Sequence, residues 1–146
     1  MTTRSEIVAE ARSWIDTPFH HHACNKTVGV DCIHLLFGVC TAMGLVPAGF
    51  RMPDYTMQPD GSLLTHMGIH MTRIEKSAMR PGDLVVLAID ADPQHVGIVA
   101  DYRHGGLSVI HASNARSCVP PRVIETRLMF SRRFAFVAAY CIPGVT

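Results

Sequence analysis

The sequence predicts an α+β fold, with N-terminal helices packed on a central antiparallel β-sheet. Apolar residues recur at helical spacing early in the chain, and short β-rich runs separated by turn residues fill its second half. The character changes after Arg80-Pro81-Gly82-Asp83, a strong turn signal. Helices that precede strands, rather than alternating with them, belong to segregated α+β architectures. The 146 residues suit one compact domain over 1–146, and 48% hydrophobic residues supply a core without disulfide staples.

The first helix is expected from Thr3 to Ile15, where Ile7, Val8, Ala11, Trp14 and Ile15 share a face. Thr3 with Glu6 reads as a capping box at its start, and Asp16-Thr17-Pro18 ends it, because a residue before proline is pushed from helical geometry. A polar loop follows over Phe19–Val30, with His20-His21-His22 inside it. Cys32–Met43 is the second helix: Ile33, Leu35, Leu36, Val39, Cys40 and Met43 give an apolar face, Asp31 sits at the N-cap and Gly44 stops it. Pro47–Pro59 reads as an irregular connection. Asp60 caps a third helix through Leu63, Leu64 and Met67, ending near His70.

Strands are expected at Leu84–Ile89, Val96–Ala100, Leu107–His111, Val119–Thr126 and Phe134–Ile142, as a meander. Asp92-Pro93-Gln94 reads as the turn before His95. Trp14 and the methionines are expected to fill the core, and Arg132-Arg133 to face solvent.

A net charge of +1, from 13 basic and 12 acidic residues, gives no footprint for nucleic acid, and no basic run suggests a membrane surface. No apolar stretch approaches the roughly 18 residues of a spanning helix, so membrane insertion is not expected. The polar start Met1-Thr2-Thr3-Arg4-Ser5-Glu6 lacks the apolar core of a signal peptide, which predicts synthesis in the cytoplasm. The five cysteines form no C-x-x-C pair, which argues against a zinc knuckle or a thioredoxin-type site.

One cysteine is placed for chemistry. A thiol is a nucleophile when ionised, and its free pKa of about 8.5 leaves little thiolate at neutral pH. Cys32 would occupy the first turn of a helix, where unpaired N–H groups favour a thiolate and can receive an oxyanion. Cys40 lies inside that helix, and Cys118 and Cys141 fall in or beside strands. A base must come from elsewhere in the chain. His95 opens the run His95-Val96-Gly97-Ile98-Val99, and His111 closes Leu107-Ser108-Val109-Ile110-His111. Side chains of neighbouring strands on one sheet face can meet. Each histidine alone reads as structural; together with Cys32 they form a constellation of nucleophile, base and orienting group, with Cys32 and His95 expected as a thiolate–imidazolium pair.

With these motifs in this order, the sequence resembles the NlpC/P60 family of papain-like cysteine peptidases over nearly its whole length. Trp14-Ile15-Asp16-Thr17-Pro18-Phe19 resembles the family's first motif, and Gly29-Val30-Asp31-Cys32 its nucleophile motif. Arg80-Pro81-Gly82-Asp83-Leu84-Val85 corresponds to the turn and strand before the base. His95-Val96-Gly97-Ile98-Val99 and Val109-Ile110-His111-Ala112 match the strands of the second and third members. The resemblance implies catalytic roles for Cys32, His95 and His111, and substrate-side positions for Phe19, Asp31 and Ile33. It implies a peptidoglycan stem peptide cut beside D-glutamate as substrate, with no metal and no cofactor. The loop His20-His21-His22 to Gly29 is similar to the phage and gene-transfer-agent branch, which implies phage tail proteins as partners.

Three positions depart from the family pattern. Phe19 stands where Tyr is usual, and Ile33 and His34 stand where small residues are preferred. Two other enzyme chemistries find partial support in the residues. His66 and His70 at i, i+4 and the His20–His22 cluster suggest a metal, but Met67 replaces the Glu that a zincin needs. Acyl transfer to an amine or alcohol would share the first half-reaction. A non-catalytic tail-assembly protein that keeps the fold is the third alternative.

Overall fold

The computed structural model describes residues 1–55, 60–89 and 92–146. Its helices are α1 (Arg4–Arg12), α2 (Cys32–Ala42) and α3 (Ser62–His70). Its strands are β1 (Cys24–Asn25), β2 (Gly29–Val30), β3 (Thr72–Ile74), β4 (Leu84–Ile89), β5 (Asp92–Asp101), β6 (Leu107–Ser113), β7 (Arg122–Arg127) and β8 (Phe134–Cys141). The fold is α+β: three helices packed on an antiparallel sheet, as the sequence predicts. No helix among the described residues is long and apolar enough to cross a membrane.

Local chemistry sets the helix starts. Thr3 and Glu6 form the expected capping box, with the Thr3 N–H donating to Glu6 Oε2 at 2.7 Å. The helix ends sooner than expected, at Arg12, and Trp14 leaves it to be buried in the core. Asp31 caps α2 by accepting from the His34 N–H at 2.8 Å. At α3 the cap position falls to Gly61 with φ +82°, and Asp60 instead accepts from the Ser62 N–H at 2.9 Å. The connection over 47–55 holds neither helix nor strand, and the rest of the expected Pro47–Pro59 segment up to 59 lies outside the described residues.

The large sheet runs β3-β8-β4-β5-β6-β7. β4 to β7 form the expected meander, but β8 returns across it to pair with β4, so the chain's last strand lies inside the sheet. The reading missed β3 and the small β1–β2 hairpin. Asp92–Gln94, expected as a turn, is already strand. The Val119–Thr126 strand starts later, at Arg122.

β4 is buried on both faces, which explains a continuous apolar run where alternation would mark a half-exposed strand. Leu84 and Val86 join the core beneath α1 and α2 with Val96, Ile98, Ile110 and Ala112. Val85 and Leu87 join Val99 and Val109 in a smaller cluster on the opposite face, covered by Phe130, Phe134 and Phe136. The Arg80–Asp83 turn is pinned to α1: buried Asp83 accepts from the Arg80 N–H at 2.8 Å and pairs with Arg4 at 2.6 Å, while Gly82 takes the φ of +92° that a side chain resists.

Candidate active site

Strand alternation carries His95 and His111 to the face opposite the helices, because Val96, Ile110 and Ala112 point into the helix-side core. Ile124 lies opposite His111 across the β6–β7 pair. A cleft of about 890 Å³ runs over this face, lined by His95, His111, Ile124, Thr126 and Phe134. The α2 start adds Asp31, Cys32 and Ile33, and the preceding loop adds Phe19 and His21. All six residues singled out in the sequence therefore line one cleft, although α2 and β5 are far apart in the chain.

Two imidazoles meet within it. His95 Nε2 and His111 Nδ1 lie 2.7 Å apart, with the rings nearly perpendicular at 86°. His111 is only 3% exposed, and its Nε2 has no hydrogen-bond partner among the described residues. Gly97, two residues after His95 on β5, leaves room for this approach: a Cβ there would fall 2.4 Å from Val109 Cγ2 and 3.3 Å from His111 Cβ.

Cys32 is half-buried at the first position of α2. Burial pushes its thiol up to about 12, against the lowering effect of the Val96 N–H, with the Asp31 carboxylate adding to the rise. The helix N–H groups of Ile33 and Cys32 also favour the anion, but they are outweighed. The expected thiolate-favouring helix start is thus overridden by desolvation. Burial also lowers His95 to about 3, helped by His111, and His111 to about 4. The resting arrangement favours a neutral thiol beside neutral imidazoles. The Val96 contact brings the sulfur to the residue that follows His95.

Asp31 serves more than a cap. Burial would raise its pKa, but hydrogen bonds from His34, Tyr55 and the His22 N–H hold it below the ordinary carboxylate range. The His22 N–H reaches Asp31 Oδ2 at 2.8 Å from a left-handed backbone with φ +62°. Tyr55 donates its hydroxyl to Asp31 and also bonds His34 Nδ1, and its carbonyl accepts from His22 Nε2 at 2.6 Å. Burial, then Asp31, keeps the phenol protonated well above its ordinary range. Sequence reasoning missed Tyr55, which lies in the irregular connection with no spacing pattern to mark it. A phenol therefore lines the cleft although Phe19 lacks one.

His66 and His70 both fall on α3, and His70 packs its ring on Phe50 at 5.3 Å. No group of three or more His, Cys, Asp or Glu among the described residues could hold a metal.

The NlpC/P60 family model matches residues 16–137. No curated protein sequence matches the chain. Among solved structures, the NlpC/p60 domain of the peptidoglycan hydrolase SagA is similar at TM-score 0.65 and 23% identity, covering 97% of this chain and 100% of that one. NlpC1 from Trichomonas vaginalis is similar at TM-score 0.69 and 14% identity, and the match covers 97% of this chain but 45% of NlpC1. An N-acetylmuramoyl-L-alanine amidase from Bacteroides uniformis is similar at TM-score 0.59 and 10% identity, covering 95% and 98% of the two chains.

Proposed function

Because the chain belongs to the NlpC/P60 family, we propose that it is a cysteine hydrolase cleaving an amide bond in peptidoglycan stem peptides. Cys32 is the nucleophile, His95 its base, and His111 fixes the orientation of that base. The observation that carries this reading is the 2.7 Å bond between His95 Nε2 and His111 Nδ1 in the cleft that Cys32 enters. It commits one nitrogen of His95 to His111 and leaves Nδ1 for the thiol.

Since burial favours the uncharged forms, the proton leaves sulfur for His95 Nδ1 as sulfur attacks the carbonyl carbon. The developing oxyanion is received by the Cys32 N–H at the α2 start. The C–N bond then breaks, and His95 returns the proton to the departing amine. Water next attacks the thioester, giving a proton to His95. The carbon–sulfur bond breaks, the carboxylic acid leaves, and the thiol is restored.

The substrate class is supported by the family and by fold likeness to a peptidoglycan hydrolase domain and an amidase. The bond proposed is the one beside D-glutamate. The His20–Gly29 loop supports a finer placing in the tail-associated phage and gene-transfer-agent branch, with tail proteins as partners. Cys32→Ala should abolish release of peptide fragments from purified muropeptides, read by mass spectrometry, with the circular dichroism melt unaltered. Retained hydrolysis by this variant sinks the assignment.

A further inference from the structure

The His20–His22 run and the 47–55 connection take no part in the proposed proton transfer, yet both reach one carboxylate. Four donors converge on Asp31. The His34 N–H and ring Nδ1 reach Oδ1 at 2.8 and 3.2 Å, while the His22 N–H, at 2.8 Å, and the Tyr55 hydroxyl reach Oδ2. His21 Nδ1 lies 3.8 Å from that second oxygen. A carboxylate offers about four lone-pair directions, and these donors suffice to fill them.

Tyr55 ties the cluster together. Its one hydroxyl hydrogen goes to Asp31, so its oxygen accepts from His34 Nδ1, and that nitrogen carries a proton. Its carbonyl accepts from His22 Nε2 at 2.6 Å, and the two rings meet edge-on with centroids 4.4 Å apart. Earlier in the same connection, Phe50 packs on Phe37 of α2 at 5.9 Å and on His70 of α3 at 5.3 Å. The connection is thus fastened at two points, and its Tyr55 lines the cleft with Asp31 and Cys32. Asp31 directly precedes Cys32, and its charge opposes loss of the thiol proton. A hydroxyl that donates to the carboxylate partly offsets that charge.

We propose that Tyr55 is a positioning residue for amide hydrolysis: acting through Asp31, it steadies the α2 start and tempers the negative charge next to the Cys32 thiol. This inference rests on the reading of the cleft as an amide-hydrolase site.

Tyr55→Phe removes the hydroxyl and keeps the ring. On purified muropeptides, well below the melting temperatures of both proteins, kcat should fall about tenfold, the size of one charge-assisted hydrogen bond. KM should change less than about twofold, because the lost bond is not made to the peptide. Asp31→Asn keeps an acceptor for the helix cap and drops the charge. In that background Tyr55→Phe should cost less than about twofold in kcat, since residues that act through one another do not add. Nitrogen-15 shifts should show His34 protonated at Nδ1. Alkylation of Cys32 by iodoacetamide, read by mass spectrometry of the peptide that carries it, needs no turnover and should slow about threefold or more in Tyr55→Phe. An unchanged kcat, a loss confined to KM, an equal loss with and without the Asp31 charge, unslowed alkylation, or His34 protonated at Nε2 alone overturns the proposal. Slowed alkylation with no hydrolysis by either protein removes the peptidase reading and leaves the link from Tyr55 to Cys32 standing. Hydrolysis at equal kcat by both proteins does the reverse.

Discussion

The imidazole pair, with His111 buried and His95 partly so, should make the protein unusually sensitive to mild acid. Burial lowers His95 to about 3 and His111 to about 4, from an ordinary 6.5. Between those values and 6.5 the unfolded chain binds protons that the folded chain refuses, so stability rises with pH in that window and falls on acidification. At about pH 5, still above both folded values, the loss per group depends almost wholly on the unfolded pKa. Relative to about pH 7 it comes to about 2 kcal/mol for each imidazole, or roughly 4 kcal/mol for the pair. The lowered carboxylates Glu6, Asp31, Asp60 and Glu125 start from 4.5 or below, so they contribute mainly at lower pH. Urea unfolding of reduced protein at the two pH values measures the difference directly. His111→Asn keeps a polar group beside His95 but cannot titrate there, and should halve the loss. Equal stability at both pH values, or an unaltered loss in His111→Asn, would refute the claim that these rings are buried uncharged.

Other substitutions probe the same frame. His95→Ala should lower kcat about a thousandfold, while His111→Ala should cost about ten- to a hundredfold, because orientation matters less than proton transfer; reversed losses in steady-state kinetics would exchange the roles. Asp31→Ala strips the acceptor from the His22 and His34 N–H groups, each at 2.8 Å, and should destabilise by about 2–4 kcal/mol in urea titration. Gly97→Ala drives a methyl to 2.4 Å from Val109 Cγ2 and 3.3 Å from His111 Cβ. It should cost about 1–3 kcal/mol and lower kcat by tilting His111.

What the sequence made legible was local. Thr3 with Glu6 and Asp31 before Cys32 announce helix starts because cap chemistry is settled within four residues. The β4 boundaries, Leu84 to Ile89, were legible because a proline–glycine turn precedes an unbroken apolar run. β1, β2 and β3, of two or three residues each, are too short for alternation to register. The place of β8 beside β4 depends on pairing between distant segments, which periodicity does not encode. Tyr55 was invisible for the same reason: its role comes from where the 47–55 connection passes, above Asp31. The environment of the Cys32 thiol is tertiary as well. The donors of the helix start are present, yet the strand packed over the thiol removes more water than those donors replace.

Under the proposed mechanism, the orphaned nitrogen of His111 bears on where the catalytic proton rests. If His95 Nε2–H donates to His111 Nδ1, the unpartnered His111 Nε2 carries a buried hydrogen, and His95 Nδ1 offers a lone pair. If His111 donates instead, its Nε2 is a bare lone pair and His95 Nδ1 is protonated, so the base cannot accept from sulfur. Either way one buried polar atom goes unpaired, at about 1–3 kcal/mol. The orphan alone therefore does not choose between tautomers; in the mechanism proposed above, the Cys32 thiol does, as the donor to His95 Nδ1. A thiol held protonated by burial is a donor that needs an acceptor, which favours the first arrangement, the one competent for attack. Nitrogen-15 shifts of the two rings distinguish the alternatives. Cys32→Ala should then shift the tautomer balance of His95 toward protonated Nδ1, since the donor that selects the lone pair is gone. An unmoved balance would mean that the sheet, rather than the thiol, sets the base.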